Sequence, residues 1–101
     1  MSQTLTSKQR AHLRGIGHRL KPMVHVGKEG VTDSLVDSAR QALSTRELIK
    51  IRVLETAPHS PRETAEHIVA EIEDAVVVQT VGYTAVIFRR HPDKPVIELP
   101  P

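Results

Sequence analysis

Residues 23–33, Met23-Val24-His25-Val26-Gly27-Lys28-Glu29-Gly30-Val31-Thr32-Asp33, pass from a β-branched run through a glycine-flanked loop into a helix start. The first four read as a short strand that runs directly into the loop. Thr32 can serve as an N-cap and Asp33 complements the helix dipole, so a helix follows, with Leu35, Val36, Ala39, Ala42 and Leu43 as its apolar stripe.

Working outward, Glu47–Leu54 (ELIKIRVL) alternates, with Ile49, Ile51 and Val53 on one face and Lys50 and Arg52 on the other. That pattern predicts a strand with two cations on an exposed sheet face or edge. Upstream, Thr6-Ser7-Lys8-Gln9 matches a capping box and predicts a helix running to about Leu20, where Pro22 stops it. Leu13, Ile16, Gly17 and Leu20 would face the core, and close packing against a neighbouring element would account for Gly15 and Gly17. Downstream, Ser60-Pro61-Arg62-Glu63 is a second capping box opening a helix to about Glu73, with the stripe Ala65, Ile68, Val69 and Ile72. Residues 75–81 and 84–90 are β-branched runs joined by Gly82-Tyr83, a tight hairpin signal. The tail, residues 91–101, carries four of the seven prolines and should be extended. The order α-β-α-β-α-β-β predicts the α/β class, with helices packed on a mixed four-stranded sheet. The 101 residues read as a single domain with its core at about 5–90.

Charge is unevenly placed. Residues 1–28 hold Lys8, Arg10, Arg14, Arg19, Lys21 and Lys28 with no acid, plus His12, His18 and His25. Residues 61–75 hold Glu63, Glu66, Glu71, Glu73 and Asp74 against Arg62 alone. A basic end suits a polyanion, and an acidic segment should face away from it. Gly27-Lys28-Glu29-Gly30 adds a device for phosphate: glycines allow close backbone approach, a following helix N-terminus favours an anion, and Lys28 brings a mobile charge. Lys50 and Arg52 share a face and are further candidates, with protection of a sheet edge as the plainer reading. Arg89 and Arg90 alternate, so at most one of them would join a basic surface.

Other chemistries gain little. There is no cysteine, which removes disulfides, thiolate metal sites and a thiol nucleophile and fits a reducing, cytoplasmic setting. Met1-Ser2-Gln3-Thr4 shows no targeting pattern, and no run approaches the roughly 18 apolar residues of a membrane span. His12 and His18 lie about 600° apart on a helix, and no HxxxH or HExxH spacing occurs, so no metal or cofactor is expected. Nothing assembles an acid/base pair, so an enzyme is not expected, nor a small-molecule substrate. With Tyr83 and Phe88 as the whole aromatic content, recognition should rest on backbone and shape.

The pieces LTSKQRAHLR, HRLKPMVHVGKEGVTDSL, ELIKIRV and VVVQTVGYTAVIFRR, spanning Leu5 to Arg90, resemble the CRM domain (chloroplast RNA splicing and ribosome maturation) in its stand-alone bacterial YhbY form. The resemblance implies an RNA-binding fold shaped like the C-terminal domain of translation initiation factor three. It implies a role in large-subunit ribosome assembly, with 23S rRNA or the pre-50S particle as partner of a monomer. The family's loop falls on Gly27, Lys28, Glu29 and Gly30, and its basic first helix on Lys8, Arg10, Arg14, Arg19 and Lys21. Gly17 stands where the family pattern suggests alanine, and Glu29 places an anion in the loop. A second function class is a protein-interaction adaptor whose contact surface is the acidic third helix.

Overall fold

The alternation in residues 47–54 forms a strand, β2 (Leu48–Val53), at the centre of a four-stranded sheet. In the computed structural model, which describes residues 4–101, the order along the chain is α1 (Ser7–Gly17), β1 (Val24–Val26), α2 (Asp33–Thr45), β2, α3 (Pro61–Ala70), β3 (Val76–Val81) and β4 (Thr84–Phe88). Most of the segment read for targeting, Met1–Gln3, lies outside the described residues. The sheet runs β1-β2-β4-β3, with β1 parallel to β2 through the α2 crossover and the other pairs antiparallel. The class expected from sequence, three helices on a mixed four-stranded sheet, is the observed one.

The caps set the helix starts. Thr6 and Gln9 form the capping box in both directions, each bond 3.1 Å long. Thr32 accepts from the Leu35 amide and Ser60 from the Glu63 amide, with Pro61 at the first helical position. Two helices stop earlier than expected. α1 ends at Gly17, not Leu20, because the Arg19 and Leu20 amides bond three residues back and tighten the chain toward β1. α3 ends at Ala70, not Glu73, in similar three-residue turns that close with Asp74 in the left-handed region at φ 65°.

Strand alternation divides the core in two. On one face Ile49, Ile51, Val53, Ala85, Ile87, Val24 and Val26 pack under α2 and α3. On the other Leu48, Val78, Val86 and Phe88 pack under Leu13 of α1. Gly17 makes the second contact possible, since a Cβ there would stand 3.0 Å from Val86. Gly15 has nothing within 4 Å, so the packing explanation expected for both glycines holds for Gly17 alone.

The proline-rich tail is irregular, as its composition predicts, yet it is docked. Ile97 and Leu99 pack on the α1-side core. Glu47, only 4% exposed, accepts backbone N–H bonds from His91 (2.7 Å), Val96 (2.7 Å) and Ile97 (2.6 Å). Burial alone would raise this carboxyl, but the three amides and the Arg90 charge outweigh it and hold Glu47 below its ordinary value.

Candidate nucleic-acid interface

The α1 side of the sheet can be followed as three cross-strand rows. Leu48, Phe88 and Val76 form the row nearest the tail, Lys50, Val86 and Gln79 the middle one, and His25, Arg52, Thr84 and Val81 the last. Exposure rises across them. Leu48 and Phe88 are buried, Lys50 is half-buried, and His25, Arg52 and Val81 are exposed. α1 and the tail therefore cover one end of this face and leave the other open, with three groups that can carry positive charge, Lys50, Arg52 and His25, on two adjacent strands.

This corrects the edge reading of Lys50 and Arg52. They lie on a central strand, paired to β1 on one side and β4 on the other, and the sheet edges are β1 and β3. His25 was legible as a strand residue, but its place beside Arg52 follows only from the β1–β2 register.

The glycine loop borders this open end. It leaves β1 as a turn closed by a 2.9 Å bond from the Gly30 amide to the Gly27 carbonyl, with Lys28 and Glu29 exposed at the tip. Gly30 has φ +68°, and a Cβ on it would stand 2.9 Å from Pro58 Cγ, so this glycine serves a turn and a packing contact. Val31 and Thr32 separate the turn from α2, so the tip and the helix N-terminus are neighbours and not a continuous clamp. Gly27 is different: its φ is ordinary, and a Cβ would meet only Leu54 at 3.8 Å.

The first-helix cations divide. Lys8 and Arg14 are exposed on α1, while Arg19 and Lys21 are exposed on the turn that follows. Arg14 is exposed, three residues from Gly17 and four from Arg10, so it shares their side of α1. Arg10 itself is committed to the fold. Its guanidinium donates to the Val77 and Val78 carbonyls at 2.8 and 2.7 Å, where β3 carries a bulge. Arg89 likewise donates to the Glu73 carbonyl at 2.9 Å. The basic sequence run thus contains one cation that holds a sheet edge, and no periodicity argument separates it from its neighbours.

The acidic residues lie across the sheet. α3 packs on the opposite face from α1, with Glu63, Glu66, Glu71 and Glu73 exposed there or just beyond its end. Arg62 pairs with Glu66 at 3.3 Å within this helix. The exposed acids of α3 and its end thus lie on the face opposite α1, which favours approach of a polyanion from the α1 side. No helix among the described residues is long and apolar enough to cross a membrane.

The chain is similar to proteins described as RNA-binding. The profile of the CRS1 / YhbY (CRM) domain matches residues 5–89. The chain is 38% identical to YqeI of Bacillus subtilis, described as a probable RNA-binding protein, over 95% of this chain and 99% of that one. It is 36% identical to an RNA-binding protein of Haemophilus influenzae, over 85% of this chain and 86% of that one. The solution structure of a hypothetical Staphylococcus aureus protein, described as a candidate RNA binder, superposes with a TM-score of 0.78 at 34% identity and covers 96% of this chain and 100% of that one.

Proposed function

The chain belongs to the CRS1 / YhbY (CRM) domain family, and from that premise we propose that it is a non-enzymatic, single-domain RNA-binding protein. One observation carries the reading: the open end of the sheet presents Lys50, Arg52 and His25 beside the Lys28 loop, on the α1 face, with the acidic helix on the other face. Lys50, Arg52 and Lys28 sit on a regular strand or a closed turn, so little backbone ordering opposes their meeting a phosphate backbone. Lys8, Arg19 and Lys21 extend the same positive field along α1 and the turn after it.

The target is structured RNA of the large ribosomal subunit, 23S rRNA within pre-50S particles, met by a cytoplasmic monomer. The family resemblance supports that choice of RNA; the geometry supports a phosphate backbone held without extensive base readout. Binding should fall steeply with salt, by a slope of about −0.7 to −0.9 per phosphate contacted. Replacing Lys28 and Arg14 together by alanine should weaken binding to a structured ribosomal RNA fragment and flatten the slope by about 2. Unchanged affinity and slope in the folded double variant would exclude this surface.

A further inference from the structure

Among the described residues the exposed large apolar side chains are Leu54, Val81, Tyr83 and Val96, and the first three lie at the open end of the sheet. Tyr83 is 51% exposed and Leu54 40%. They share a cleft of about 280 Å³ with Arg52, Val53 and Glu55. The cleft walls are fixed. The Tyr83 carbonyl accepts from the Val53 amide at 2.7 Å, and the Leu54 amide donates to Val26 at 2.8 Å. Gly82, at φ +57°, begins the two-residue turn that sets Tyr83 at the hairpin corner, and Tyr83 keeps a negative φ, the II′ pattern. On its other side Leu54 lies against Gly27, so the cleft adjoins the Lys28 loop.

We propose that this cleft receives one unpaired nucleobase of the bound RNA, with the ring of Tyr83 as stacking surface and Leu54 as the opposite wall. The inference rests on the RNA-binding reading above and adds a base-binding subsite to it. Glu55 on the wall opposes a phosphate inside the cleft but can accept from an exocyclic amino group such as that of cytosine. Arg52 at the rim and Lys28 on the adjoining loop suit the flanking phosphates. The charge pattern thus places the base inside and the backbone outside, as an extruded bulge or loop nucleotide would lie. The single aromatic makes this a one-base site and not a platform.

The test compares RNA hairpins of identical stem that carry a bulged cytidine, an abasic residue at the same position, or no bulge. Tyr83 is the only tyrosine and there is no tryptophan, so the intrinsic emission of the full chain reports on this ring alone. The cytidine bulge should bind about tenfold more tightly than the abasic one, within the range for stacking of a single base, and should quench the emission. Tyr83→Ala should abolish that preference while leaving abasic affinity and its salt slope unchanged, and Tyr83→Phe should keep the preference. Equal binding of cytidine and abasic bulges by the unaltered chain would overturn the subsite, as would a Tyr83→Ala loss equal for both. Absence of binding to all three hairpins at low salt would instead overturn the RNA-binding reading and the subsite with it.

Discussion

Gly17 sits on Val86 so closely that a Cβ on the glycine would lie 3.0 Å from one Val86 methyl and 3.2 Å from the other. Val86 is 2% exposed and β-branched, so it has little room to move aside. Gly17→Ala gains little helix propensity at the last helical residue and should lower stability by about 1 kcal/mol through overpacking. Val86→Ala should cost about 1 kcal/mol less in that background than in the unaltered chain, because the added methyl then has room, so a double-mutant cycle by urea denaturation should show coupling. Gly15→Ala, exposed with nothing within 4 Å, should instead stabilise by about 0.5–1 kcal/mol.

The tail should depend on the ionised form of Glu47. A carboxyl held below its ordinary value of 4.5 contributes stability that is present above that value and is lost as pH falls through the lowered one. Tail undocking should therefore begin below about pH 4.5, visible as loss of protection of the Val96 and Ile97 amides in hydrogen exchange. Glu47→Gln turns an amide donor toward backbone donors and should cost about 1–3 kcal/mol at neutral pH. A Gln variant with full protection at pH 7 would show that the negative charge of Glu47 adds nothing.

Arg10 and Arg52 should separate cleanly. Arg10→Ala removes a charged donor from two carbonyls at the β3 bulge and should cost about 2 kcal/mol of stability while leaving the salt slope of RNA binding unchanged. Arg52→Ala should leave stability within about 0.5 kcal/mol and lower the slope by about 1. Thermal melts paired with binding titrations read both quantities, and a reversed pattern would reassign the two arginines.

The two loop glycines should not be equivalent. Gly30→Ala meets Pro58 and a positive φ, so it should lose about 2 kcal/mol or more of stability. Gly27→Ala fits the fold, its Cβ in ordinary contact with Leu54. A fall in RNA affinity for Gly27→Ala without a fall in melting temperature would mean that the RNA backbone comes within one methyl group of Gly27. Retained affinity would place the RNA on the Lys28 tip alone.

The elements, their order, the three N-caps, the inward stripes and the opposed charge of the two ends are legible in the chain alone, because each is a matter of local spacing. Gly27-Lys28-Glu29-Gly30 was legible as a turn after a strand for the same reason. It takes the folded chain to make β2 central, to stand His25 beside Arg52 and to commit Arg10 to the β3 edge. The same holds for Glu47, which pins a tail more than 40 residues away, and for the cleft that Leu54 and Tyr83 share. Strand order, register and the partner of a buried polar group depend on residues distant in the chain. Alternation tells which face a side chain takes, and only packing tells what lies across from it.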